Sequence, residues 1–124
     1  MSTILICGSR EFTNEYGLFE ELKEYFPIDR ILSGGARGAD KLAEQFAHEH
    51  EIKCSVFEPD WKPNGTYDPF AGYARNLRML NENPDLVVAG WDGLSRGTLH
   101  TISEAVQRGI PVSIVPDTSR DVGA

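Results

Sequence analysis

Cations are scarce in this chain. Twelve Lys and Arg face nineteen Asp and Glu, so the formal charge is −7 and the pI is near 4.9 over 124 residues. That balance opposes nonspecific attraction to nucleic-acid phosphates or to an anionic membrane, and any anion has to be held by a local arrangement of groups. Cysteine is scarcer still. Cys7 and Cys54 each fall inside a strand-like apolar run, which makes them small core residues and argues against a disulfide or a metal site. Long apolar runs are missing: Leu86-Val87-Val88-Ala89 is far too short to span a bilayer. Met1-Ser2-Thr3 leads into a strand-like segment with no basic leader, so export is not expected and a cytoplasmic location is. No repeat or biased segment occurs. The length predicts one domain over residues 1–116 followed by a flexible tail, 117–124.

Glycine is present in quantity, at twelve residues, and its positions carry the organisation. Thr3-Ile4-Leu5-Ile6-Cys7 ends in Gly8 and has the near-continuous apolar pattern of a strand buried on both faces. With Thr13 as N-cap, Leu18, Phe19, Leu22, Tyr25 and Phe26 recur at helical spacing until Pro27. Asp29 to Ser33 reads as a second strand. Ala39, Leu42, Ala43, Phe46 and Ala47 mark one face of a second helix, and Lys53 to Phe57 forms a third strand. Glu58 to Gly72, with three prolines and two glycines, is a long loop of the kind that often carries function. A helix over Ala71 to Asn83, a strand over Asp85 to Ala89, a helix over Thr98 to Arg108 and a strand over Pro111 to Val115 complete the chain. This alternation predicts a three-layer α/β fold, with a parallel five-stranded sheet and helices on both faces.

In such a sheet, ligands bind outside the carboxyl ends of the strands, near the point where strand order reverses. The loops expected there are Gly8-Ser9-Arg10, Gly34-Gly35-Ala36-Arg37-Gly38, Pro59-Asp60-Trp61, and Gly90 through Gly97-Thr98. The turn from Ser33 through Gly34, Gly35 and Gly38 to Asp40 aims backbone amides at one point, which suits a phosphate; it suits a tight turn without a ligand equally well. The second glycine-rich turn at Gly97-Thr98 favours the ligand. The first turn lacks the Gly-Lys-Ser/Thr ending of a P-loop and the Gly-x-Gly-x-x-Gly dinucleotide pattern, so neither ATP hydrolysis nor hydride transfer follows. Asp60, about twenty residues on, stands where an acid accepts from ribose hydroxyls. Trp61, Tyr67, Tyr73 and Trp91 could each stack on a base, with the tryptophans first to test, against the alternative that they seal a core edge. Arg75 and Asn76 open the third helix within reach of the pocket. His48 and His50 are assigned no chemistry; His100 stands beside the pocket.

Taken in order, Gly8-Ser9-Arg10-Glu11-Phe12, Ser33-Gly34-Gly35-Ala36-Arg37-Gly38-Ala39-Asp40, Pro59-Asp60-Trp61, Ala71-Gly72 through Arg75-Asn76 and Met79, and Gly97-Thr98 with Thr101-Ile102 resemble the SLOG superfamily. The YspA-like single-domain branch is the nearest match. The resemblance implies a Rossmann-like fold that binds a nucleotide or a nucleotide-derived ligand of the ADP-ribose, NAD-like or phosphoribosyl kind. It also implies a role in nucleotide signalling or phage–host conflict, a homo-oligomer, and no required cofactor or metal. The related lonely-guy enzymes hydrolyse the N-glycosidic bond of nucleoside monophosphates with Arg-Lys-x-x-Met and Gly-Gly-x-Gly-Thr-x-x-Glu motifs. Arg75-Asn76-Leu77-Arg78-Met79 is similar to the first, making Arg75 the catalytic candidate. In the second, Thr101 stands where the glutamate is expected, leaving Glu104 as a nearby carboxylate. Glycosidic hydrolysis is therefore the alternative function. Single-strand nucleic-acid binding, by analogy with DNA-processing protein A, is a third reading that the acidic charge opposes.

Overall fold

A computed structural model describes residues 2–117, so residues 118–124 of the expected tail lie outside the described residues. The elements are β1 (Thr3–Gly8), α1 (Glu15–Lys23), β2 (Arg30–Ser33), α2 (Ala39–Glu49), β3 (Lys53–Val56), a 3-10 turn (Pro63–Gly65), α3 (Ala71–Leu80), β4 (Leu86–Trp91), α4 (Arg96–Gln107) and β5 (Val112–Pro116). The five strands run parallel in the order β3-β2-β1-β4-β5. Strand order therefore reverses between β1 and β4.

Alternation along the central strands divides the core in two. Ile4 and Ile6 of β1 and Val88 of β4 meet Leu18 and Leu22 of α1 and Ala43, Phe46 and Ala47 of α2. Leu5, Cys7, Val87 and Ala89 point to the opposite face, against Met79 and Leu80 of α3 and Ala105 of α4. Because side chains alternate across a strand, one run of apolar residues feeds both layers. The three-layer reading of the sequence holds. Cys54 differs from expectation: β3 is an edge strand, so Cys54 is only half-buried, while Cys7 is buried.

Element ends moved where a side chain captured an amide. Asn14, not Thr13, caps α1: its Oδ1 accepts from the Gly17 amide at 3.0 Å. The Thr13 hydroxyl instead donates to Asp117 at 3.3 Å, so residue 117, expected to begin the tail, is held against the start of α1. Helix α1 ends at Lys23, ahead of Tyr25 and Phe26, and Phe26 stacks on Phe46. Helix α3 ends at Leu80 and Asn83 turns to φ +56°. Helix α4 begins at Arg96, because the Ser95 side chain accepts from Thr98 N. Gly97 and Thr98 thus lie inside the first turn of α4 rather than in a loop before it. Among the described residues no helix is long and apolar enough to cross a membrane.

Candidate functional site

Close approach of the backbone at the β1–β4 reversal makes room for a site. A Cβ at Gly8 would overlap the Gly90 carbonyl and the Ala39 side chain, so only glycine lets α2 sit this near the ends of β1 and β4. Ser9, buried just beyond, fastens the same junction. Its amide donates to Gly90 O at 2.9 Å, its Oγ accepts from the Asp92 amide at 3.2 Å, and its carbonyl accepts from Phe12 N at 3.1 Å.

Above this junction opens a cavity of about 510 Å³. Its wall is drawn from four stretches: Cys7 to Glu11 after β1; Ala36, Arg37 and Asp40 at the start of α2; Trp61 and Pro69 through Met79; and Asp92, Ser95, Gly97, Thr98 and Thr101 around the start of α4. A smaller hollow of about 340 Å³ shares Arg10, Ala36, Arg37, Trp61 and Arg75 with it and adds Gly34, Gly35, Glu58 and Pro59.

The glycine-rich turn is already engaged with the protein's own groups. Asp40 Oδ2 accepts from Ala36 N at 3.1 Å, and the Gly35 amide donates to Ser33 Oγ at 3.2 Å. Gly38, at φ +80°, packs where any Cβ would overlap the carbonyl oxygens of Ser9 and Arg10, which locks the turn against the β1 loop. Burial raises the Asp40 carboxyl to about 6, with the Ala36 amide and the Arg75 guanidinium pulling the other way. Burial likewise raises the neighbouring Cys7 thiol, so it stays protonated and unreactive.

Arg75 reaches from α3 into the same turn. Its Nη1 donates to the carbonyl of Gly34 and, at 3.4 Å, to that of Phe57, while Nε donates to Asn76 Oδ1 at 2.9 Å. The guanidinium therefore joins the ends of β2 and β3 to α3. Desolvation lowers its pKa and Asp40 opposes that effect. Asn76, buried, passes the connection on: Nδ2 lies 3.3 Å from Gly97 O and 3.3 Å from His100 Nδ1. His100 in turn packs against Tyr73 with ring centroids 4.5 Å apart.

At the fourth stretch, Asp92 Oδ1 accepts from Leu94 N at 2.8 Å and Ser95 N at 2.9 Å, which holds this carboxyl below its ordinary value. Ser95 then caps α4, and the positive end of the helix, at Gly97 and Thr98, lines the cavity.

Of the residues singled out from sequence, Gly8, Ser9, Arg10, Arg37, Asp40, Trp61, Arg75, Asn76, Gly97 and Thr98 line the larger cavity, and Gly34 and Gly35 line the smaller. Ser33 and Gly38 lie behind the walls as supports. Asp60 lines neither cavity; it is exposed, its Oδ1 accepts from Lys62 N at 3.2 Å, and the next residue, Trp61, takes the inward place. Trp91 is turned away because its Nε1 donates to Ser95 O at 3.1 Å. Glu104 is three residues past Thr101, farther down α4 from the mouth, and lines neither cavity. Sequence reasoning passed over Ser95, although a serine three residues ahead of Thr98 at a helix start was a signal, and ranked Tyr73, which lines the cavity, behind the two tryptophans.

A doubly wound parallel sheet with a polar crevice at its switch point defines a Rossmann-like α/β domain. The solved structure of DNA processing protein A (DprA) from Streptococcus pneumoniae has a similar fold, with a TM-score of 0.71 at 18% identity over 92% of this chain, which spans half the length of that protein. Residues 2–63 match the family described as "YspA, cpYpsA-related SLOG family". The chain is also 31% identical over 121 residues to the Gene 61 protein of Mycobacterium phage D29, covering 90% of this chain and 94% of that one. The chain belongs to the YspA-related SLOG family.

Proposed function

We propose that the crevice binds a nucleotide or a nucleotide-derived ligand of the phosphoribosyl or ADP-ribose kind. The observation that carries this reading is the convergence, on one cavity of about 510 Å³, of the α4 N-terminus, the guanidinium groups of Arg10, Arg37 and Arg75, and the aromatic rings of Trp61 and Tyr73. A helix N-terminus and forked cations suit a phosphate, and aromatic faces at the rim suit a base. The net charge of −7 disfavours an extended polyanion, so a small ligand held locally fits better than a nucleic-acid strand. The likeness to DNA processing protein A bears on the fold alone.

A melting-temperature screen against AMP, NAD, ADP-ribose, cyclic nucleotides and phosphoribosyl compounds tests it. A ligand at about 100 times its dissociation constant adds about 2.7 kcal/mol of stability. One class should raise the melting temperature, and the shift should vanish in Arg10→Ala. No shift from any of them would overturn the reading.

Glycosidic hydrolysis is the second reading, favoured by Arg75 and Met79 standing on the cavity wall together with three carboxylates, Glu11, Asp40 and Asp92. In that case a nucleotide would be turned over to free base, and the activity would be lost in Arg75→Ala and retained in Glu104→Gln.

A further inference from the structure

Of the charged residues on the cavity wall, Asp40 is the most deeply buried. Arg10 and Arg37 are exposed, and Arg37 pairs at 2.6 Å with the exposed Glu11. Asp40, by contrast, is only 6% exposed. Its Oδ2 accepts from Ala36 N, and no hydrogen bond from the described residues reaches Oδ1, although the side chain forms part of the cavity wall. Oδ1 is not sealed from solvent: it opens onto the polar cavity as an acceptor that solvent or a bound donor can fill. A phosphate is mostly dianionic at neutral pH and would be repelled there. A sugar hydroxyl has a proton to donate.

We infer that Asp40 is the hydroxyl acceptor of this pocket: the ligand enters sugar first, its ribose hydroxyls donate to Asp40 Oδ1, and its phosphate stays outward near the start of α4 and the rim arginines. This inference rests on the proposed nucleotide reading and gives to Asp40 the role that the sequence suggested for Asp60. It makes the site selective for ribose over its deoxy forms. The hydroxyls of Ser9, Thr98 and Thr101 on the same wall, bonded to Asp92 N, Ser95 Oγ and Gly97 O respectively, are neutral acceptors and give a selectivity that does not change with pH over this range.

Ionisation sets the sign of a test. The groups acting on Asp40 are Cys7 from β1, Arg75 from α3, and Lys41 and Glu44 from its own helix, with Arg10 and Glu58 farther out around Arg75. A hydroxyl donates best to the ionised carboxylate, so selectivity for ribose should strengthen as pH rises through about 6. A phosphate seated against Asp40 would instead bind better as pH falls.

The experiment compares AMP with 2′,3′-dideoxy-AMP by calorimetry from pH 5 to 8, in the full chain and in Asp40→Asn. The ratio of the two affinities cancels the titration of the phosphate they share. AMP is expected to bind at least about tenfold more tightly than the dideoxy compound at pH 7.5, as loss of hydrogen bonds to a charged acceptor predicts. The ratio should shrink toward pH 5, and in Asp40→Asn it should be smaller and independent of pH. Equal affinity for both compounds at every pH would overturn the role of Asp40 while leaving the nucleotide reading intact. Failure of both compounds to bind would overturn the two together. The wild-type comparison needs no variant, so a folding defect in Asp40→Asn does not blunt it.

Discussion

The guanidinium of Arg75 donates to the carbonyl of Gly34, joining residues 41 apart in sequence and fixing the glycine-rich turn to α3. The same side chain serves Phe57 O and Asn76 Oδ1, so its loss would leave several partly buried acceptors without a donor. Lysine keeps the charge and loses the fork. Arg75→Lys is expected to lower stability by about 2 kcal/mol, the usual scale for a hydrogen bond to a charged group, with a matching fall in the urea midpoint. An unchanged midpoint would mean the clasp contributes nothing.

Two glycines share a positive φ and differ in what surrounds them. Gly38 has φ +80° and Gly93 has φ +83°, but a Cβ at Gly93 meets nothing within 4 Å, whereas at Gly38 it meets the carbonyls of Ser9 and Arg10. Gly93→Ala should cost about 1 kcal/mol, the strain of a positive φ alone. Gly38→Ala should cost about 3 kcal/mol or more, because the backbone of the β1 loop has to move. Thermal melts of the two variants side by side decide it.

Asp40 is kept at a thermodynamic loss. A carboxyl at about 6 in the folded state and 3.8 otherwise binds its proton more tightly when folded. Stability from this group is therefore fully present below pH 4 and is lost as pH rises from about 4 to about 6. Asp40→Asn should be more stable than the parent at pH 7.5, by roughly 2–3 kcal/mol, and the advantage should disappear as pH is lowered to 4. A variant less stable at pH 7.5 would contradict the burial argument.

The two tryptophans should report differently on occupancy. Trp61 lines both hollows and Trp91 is held by Ser95 O outside them. Addition of a binding nucleotide should quench fluorescence in a Trp91→Phe protein and leave that of Trp61→Phe nearly constant. The reverse pattern would misplace the base.

These tests bear on parts of the molecule that the sequence revealed to different degrees. The sheet, its direction and the helical layers followed from apolar periodicity, because burial on two faces writes itself into runs such as Thr3 to Cys7. Most of the cavity wall followed from asking what comes after each strand. Where an expected site residue stands apart from the cavity, side-chain direction makes the difference. Asp60 and Trp61 are adjacent, and only the path of the 58–70 segment decides which of them faces inward. Asn14 and Ser95 displaced the expected helix starts because a side-chain oxygen met an amide, an event with energy of about 1 kcal/mol that periodicity does not register. The involvement of Asp40 with Ala36 lay beyond pattern altogether, since it depends on how the glycine turn closes on itself.

The reversal of strand order between β1 and β4 has a bearing on how the cavity comes into being. Everything up to Trp61 supplies one wall, and everything from Pro69 onward supplies the other. Chain cut between Lys62 and Pro69 would yield two fragments, each carrying half of the lining and neither a pocket. Ligand would then act as an adhesive: at free concentration L it would tighten the association of the fragments by RT ln(1 + L/Kd), the amount by which it stabilises the whole protein, and fragment reassembly would become a sensor of its concentration.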